Sequence, residues 1–233
     1  MRVLLFDTET TGLPKDRRLP AISRSGNWPD IVSLSWAVFE DQRLVSAQSR
    51  IISPSDWEIP SESTRIHGIS DACASRNGVS LESVIQDFRE DVWGAEVVVA
   101  HNLAFDQNVI DSAWYWRICP AEGLTHRPPF GWPTMQVCTA EVGTDICKIA
   151  FPDNPHRYRF PKLQELYACL LKKPCPYPAH SSLFDTLALA DIFFALPSST
   201  WALTGSPRSQ PNDAVRPSPP QVTLRLDLSG GDV

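Results

Sequence analysis

Long apolar runs are missing from this chain. Among its 233 residues no stretch approaches the ~18 consecutive apolar residues that a membrane-spanning helix needs, so no membrane partner is expected. The start "MRVLLFD" does not read as the cleavable pattern of a signal peptide, because it meets an acid at position 7, and a cytoplasmic protein is the expectation. Six cysteines are present (Cys73, Cys119, Cys138, Cys147, Cys169 and Cys175), yet no two form a C-x-x-C pair. That spacing argues against a zinc site and for reduced, buried thiols. Nor is there an excess of positive charge. The net charge of −6 deprives the whole molecule of the electrostatic footprint of a nucleic-acid binder. A local exception is 148–173, where Lys148, Arg157, Arg159, Lys162, Lys172 and Lys173 against Asp153 and Glu165 leave +4. A solvated face is the plain reading of that cluster; a phosphate-contacting surface requires an active site nearby.

What is present is a pattern of α/β type. "RVLLF" (2–6) is a continuous apolar run, as in a strand buried on both faces. Residues 30–40 and 43–52 read as two strands joined by "DQ", a hairpin signal. A polar loop with Pro14, Pro20, Gly26 and Pro29 precedes them. Apolar residues at 81, 84, 85, 88 and 92 predict a helix over 80–93. A buried strand over 96–102, a helix over 104–117, a Pro/Gly-rich loop over 119–133 and a short strand over 134–139 follow. Helices are predicted over 161–171 and 181–196, the latter opened by capping serines. Antiparallel strands first, then strands alternating with helices, predict an α/β fold with a mixed sheet. From 197 to 220 six prolines and five serines in 24 residues predict a linker or disordered tail.

Three stretches place acids where buried elements end: Asp7-Thr8-Glu9, "VAHNLAFD" with Asp106, and "HSSLFD" with His180 and Asp185. Residues two apart on a strand share a face, so Asp7 and Glu9 would stand side by side at the end of the first strand. Neighbouring carboxylates repel, and one is pushed toward protonation unless a cation sits between them. Asp106 and Asp185 near helix N-termini could simply favour the helix dipole, and His180 alone reads as a surface histidine. Capping and solubility, however, need neither the pairing nor the position of Asp7 and Glu9.

The three stretches together resemble the DEDDh 3′→5′ exonucleases, the DnaQ-like superfamily of the proofreading epsilon subunit of bacterial DNA polymerase III and of RNase T. "DTETTG" matches the first motif, "HNLAFD" the second and H-x-x-x-x-D at 180–185 the third, in the right order, over residues 1–196. The resemblance implies a ribonuclease H-like exonuclease domain, with a central mixed five-stranded sheet flanked by helices. It implies Asp7, Glu9, Asp106 and Asp185 as ligands of two Mg²⁺ or Mn²⁺ ions and His180 as general base. Two such ions clamp a phosphodiester, one activating water and the other stabilising the leaving oxygen, and a histidine near neutrality can take the water's proton. Thr11, Leu13, Ile66, His67, Asn102 and Phe105 match positions that meet the terminal nucleotide, with plain core packing the alternative for Ile66 and Phe105. Trp114, Tyr115 and Trp116 could stack on bases, though core packing is the simpler reading.

The implied activity is removal of nucleoside 5′-monophosphates from a 3′ end, with single-stranded DNA ahead of other substrates. An RNA-trimming enzyme and a non-catalytic binding module on the same fold are the alternatives. Beyond the linker, Gln221–Leu226 resembles the Q-x-x-L-x-L peptides that hold the bacterial sliding clamp, and a DNA polymerase is a further expected partner. A strand docked on the domain's own sheet is the rival reading of that peptide.

Overall fold

The first apolar run builds the centre of the sheet. In the computed structural model, which describes residues 1–124 and 127–197, β1 (Arg2–Thr10) pairs antiparallel with β2 (Ile31–Glu40) and parallel with β4 (Val97–Ala100). Strand β3 (Arg43–Ile51) extends the sheet beyond β2, and β5 (Met135–Cys138) runs parallel to β4, giving the order β3-β2-β1-β4-β5. The β2–β3 turn is Asp41-Gln42, both at positive φ (48° and 67°), as the twist of a two-residue hairpin requires. Strand β1 is longer than its apolar run because β2 pairs with its polar end, Asp7 opposite Ser35 and Glu9 opposite Ser33.

Alternation along β1 separates two layers of core. Leu4 and Phe6 face α3 (Leu81–Gly94) and α4 (Leu103–Ala113), in a cluster with Phe88, Val92, Val109 and Ile110. Val3 and Leu5 face α7 (Leu163–Leu171) and α8 (Ser182–Ala195), in a cluster with Leu166, Tyr167, Leu189 and Phe193. Helix α4 runs on into a π turn (Trp114–Ile118) and a short turn α5 (Cys119–Ala121), so the predicted helix over 104–117 is right in place but changes its winding at Trp114. Trp114 is core: it is buried and its Nε1–H donates to Pro128 O (2.8 Å). Trp116 Nε1–H donates to Ala21 O (3.0 Å), so it ties the polar loop to the π turn.

Three helices were not read from the sequence: α1 (Ser61–His67), α2 (Asp71–Asn77) and α6 (Thr139–Cys147). So was a small hairpin of β6 (Ala150–Phe151) and β7 (Asn154–Tyr158), which falls within the basic segment. No helix among the described residues is long and apolar enough to cross a membrane. The linker from 198 and the Gln221–Leu226 peptide lie outside the described residues.

Candidate active site

The polar end of β1 carries the site. Asp7 and Glu9 point, like Val3 and Leu5, toward the α8 layer, and Asp185 comes up from the first turn of α8. One carboxylate oxygen from each of Asp7, Glu9 and Asp185 lies within 4.8 Å of the other two. The seat of α8 is a ladder of buried hydroxyls. Ser182 Oγ lies 3.0 Å from Ser33 Oγ and 2.7 Å from Ser35 Oγ, and Thr186 Oγ1–H donates to Ser35 O (3.3 Å) and Ser182 O (2.7 Å). Since β2 pairs with β1 across Ser33 and Ser35, the ladder fixes Asp185 relative to Asp7 and Glu9.

Asp106 arrives from the other layer. It is 3% exposed in the first turn of α4, and accepts from Thr8 N–H (3.2 Å) and Thr8 Oγ1–H (2.6 Å). Thr8 lies between Asp7 and Glu9 and points to the opposite face, so Asp106 stands behind the three-acid cluster rather than within it. It is close enough for its charge to act on Asp7 and Glu9. The turn into α4 passes through Asn102 in the left-handed region (φ 72°), which asparagine tolerates well.

Electrostatics mark the four acids as a strained set. Burial, then the charges of Asp106, Asp185 and Glu9, hold the Asp7 carboxyl well above the usual range. Burial, then Asp185 and Asp106, push Glu9 up to about 7. Burial raises Asp106 to about 7 against the pull of its Thr8 hydrogen bonds. Burial also raises Asp185, offset by the His180 N–H that donates to its Oδ2 (3.0 Å). A divalent cation fits this donor set: it needs hard oxygens, would favour the charged form of all four buried acids, and would relieve the repulsion that adds to the lift of Asp7 and Glu9.

The remaining candidates divide. His180 is exposed in the left-handed region (φ 66°), bound to Asp185 through its backbone. Its charge is felt at His67, whose imidazole burial holds below its usual value. Leu13, Ile66, His67 and Phe105 line one cleft of about 220 Å³ together with Glu9 and Gly12. Leu13 and Ile66 are exposed within it, so Ile66 is not plain core. Phe105 does both, lining the cleft and packing on Trp28 (6.0 Å between centroids). Thr11 lies elsewhere: its Oγ1 accepts from Asp30 N–H (3.0 Å) and it lines a second cavity of about 450 Å³ beside Lys15, Trp57 and Arg117. Asn102 lines neither. Sequence reading missed Gln164, whose Nε2–H donates to Asp185 Oδ1 (3.4 Å). Nothing in its helical context distinguishes it, and only the docking of α7 on α8 brings it to the acid.

Sheet order and helix layers together define a ribonuclease H-like α/β fold. No family profile matches the sequence, and no curated protein sequence matches it. Solved structures do. Exonuclease X, solved with 5′-overhanging duplex DNA, superposes with a TM-score of 0.52 at 22% identity, over 88% of this chain and 94% of its own. Exonuclease I from Methylocaldum szegediense gives 0.56 at 17% identity, over 83% of this chain and 40% of its own. Escherichia coli exonuclease I with a dA16 oligonucleotide gives 0.55 at 14% identity, over 82% and 39%. The chain thus shares its fold with these exonucleases, and spans about 40% of the length of the exonuclease I chains.

Proposed function

We propose that this chain is a metal-dependent 3′→5′ exonuclease of the DEDDh kind, acting on DNA. The observation that carries the reading is the convergence of Asp7, Glu9 and Asp185 oxygens within 4.8 Å, beside a cleft shared by Glu9 and His67. Asp7, Glu9 and Asp185 would hold Mg²⁺ or Mn²⁺, with Asp106 completing the acidic set from behind. The bound cations would supply charge neutralisation of the phosphodiester and acidify the attacking water.

The chain's own residues do the rest. The cleft of Leu13, Ile66, His67 and Phe105 takes the terminal nucleoside, apolar surface meeting the base. His180, exposed and tied through its backbone to Asp185, takes the proton from the water. Its exposure leaves the imidazole free to exchange that proton with solvent. DNA is favoured over RNA because exonuclease X and E. coli exonuclease I were solved with DNA.

The test is incubation of the chain with matched 3′-end-labelled and 5′-end-labelled DNA and RNA oligonucleotides, with and without Mg²⁺ or Mn²⁺. The expected result is metal-dependent shortening of DNA from its 3′ end, abolished in Asp7→Ala. Absence of shortening with metal present, or full activity in Asp7→Ala, would overturn the reading.

A further inference from the structure

The basic segment predicted to matter only if an active site lay nearby does lie beside one. Residues 159–162 join the β6–β7 hairpin to α7, and Gln164 in the first turn of α7 touches Asp185. Pro161 O accepts from His101 Nε2 (2.9 Å), and His101 follows directly on β4. The hairpin is braced to α7 by Arg159, whose Nη1–H and Nη2–H donate to Glu165 (2.8 and 2.7 Å). Arg159 N–H donates to Ile149 O (2.9 Å), closing the base of the hairpin. That neutralises Arg159, but Lys148 and Arg157 are exposed and form no ion pair among the described residues. Two exposed aromatics, Tyr158 (42%) and Phe160 (47%), stand beside them. Arg157 lies over the Phe151 ring of the same hairpin (5.4 Å to the centroid), a cation–π contact.

A second basic segment lies on the other face of the sheet. The loop over 14–29 carries Lys15, Arg17, Arg18 and Arg24 against Asp16. Arg18 pairs with Asp16, while Lys15, Arg17 and Arg24 are exposed without an ion pair among the described residues. The loop is anchored on the α4 layer: Ala21 and Trp28 join that core, and Ala21 N–H donates to Asn108 Oδ1 (3.0 Å). The hairpin is anchored on the α7 layer. The two basic segments thus belong to opposite layers of the sheet whose β1 end carries the acids, in a molecule whose net charge is −6.

We propose that the β6–β7 hairpin and the 14–29 loop are two docking arms that together hold the end of a nucleic-acid duplex. This rests on the exonuclease reading. A strand that terminates at the acids leaves the site in one direction only, so its backbone meets one arm. The other arm then meets the phosphates of the paired strand. Each arm offers a small set of unpaired cations, suited to a few phosphate contacts and a marked salt dependence.

The test uses the full chain and two double variants, Lys148→Gln with Arg157→Gln and Arg17→Gln with Arg24→Gln. Binding of fluorescent duplex and single-stranded DNA is followed by anisotropy without divalent metal, and hydrolysis of thymidine 5′-p-nitrophenyl phosphate is assayed with Mn²⁺. Each variant is expected to weaken duplex binding about tenfold and to lower its salt slope. Only one variant should weaken single-strand binding, and both should hydrolyse the small ester as the parent does. Duplex binding unchanged in either variant, or equal weakening of single strand and duplex by both, overturns the two-arm proposal. Loss of ester hydrolysis in the parent chain would instead count against the exonuclease reading, since binding is measured separately. Charge reversal by Arg157→Glu serves as a second variant for the hairpin and should weaken duplex binding further than the neutral change.

Discussion

Asp106 shows how much one neighbouring hydroxyl can decide. Its carboxyl is buried and would be lifted higher still without the two donors on Thr8, which favour the charged form. Thr8→Val keeps the backbone donor and removes the hydroxyl donor at 2.6 Å. The Asp106 carboxyl should then rise further above about 7, and more base is needed to ionise it. The acid limb of the kcat/KM profile should move to higher pH at saturating Mn²⁺. A profile that stays in place would mean that Asp106 need not be ionised for turnover. His180 differs, being exposed and held only through its backbone. His180→Ala should lower kcat roughly 10²–10⁴-fold, the range of a lost general base, while the rise in Tm on adding Mn²⁺ persists. An unchanged kcat would pass the proton-accepting role to another group, with His67 the neighbour to test next.

At the scale of elements, close packing of helices holds the Asp185 side of the site together. A Cβ on Gly143 of α6 would stand 2.8 and 2.9 Å from the Leu166 methyls and 2.9 Å from Pro161 Cγ. Pro161 and Leu166 flank Gln164, so the contact reaches the acid through α7. Gly143→Ala should therefore lower stability by about 1–3 kcal/mol, as overpacking does, read as a lower midpoint in urea at unchanged slope. A midpoint equal to the parent's would mean that α7 shifts freely. Such contacts explain what was legible in the sequence. Long periodic helices such as α3 and α8, and the apolar strands β1 and β4, declared themselves by burial pattern. Helices α1 and α2, seven residues each, are too short to show a period. Helix α6 holds Thr139, Gly143 and Thr144, poor helix formers kept helical by packing on α7. The acids Asp7, Glu9 and Asp185 could be read because strand alternation and a helix start fix where they point. The place of Asp106 behind Thr8, the separation of Thr11 from the cleft and the contact of Gln164 depend on how layers meet, and no local pattern encodes that.

For the whole molecule, four lifted carboxyls tie folding to pH and to metal. In unfolded chain Asp and Glu ionise near ~4, whereas burial, with neighbouring charge at Glu9, pushes Glu9 and Asp106 up to about 7, and Asp7 is held well above its usual range. Raised carboxyls contribute stability that is full below ~4 and is lost as pH rises through their folded values, at about 1.4 kcal/mol per pH unit for each proton concerned. His67 and His101 act in the opposite sense, since burial lowers both. Their effect is confined to pH below the ~6.5 of a free imidazole, and the N-terminal ammonium, raised beside Asp41, acts only above ~8, so the raised carboxyls govern the window between. In EDTA the Tm should fall as pH rises through about 7, the folded value of Glu9 and Asp106. Asp7→Asn removes a buried, strongly lifted carboxyl and its mutual repulsion with Asp106, Asp185 and Glu9, so its Tm in EDTA should exceed the parent's at pH 8 and fall less steeply. Mn²⁺ should reverse the order, raising the parent's Tm more than the variant's, and more at pH 8 than at pH 6.5, because ligands must lose their protons to bind metal. Differential scanning fluorimetry over that pH range, with EDTA and with Mn²⁺, reads all four quantities. A parent Tm that is level with pH in EDTA and unmoved by Mn²⁺ would show that the acids are neither strained together nor gathered for a cation, and the catalytic assignment would fall with them.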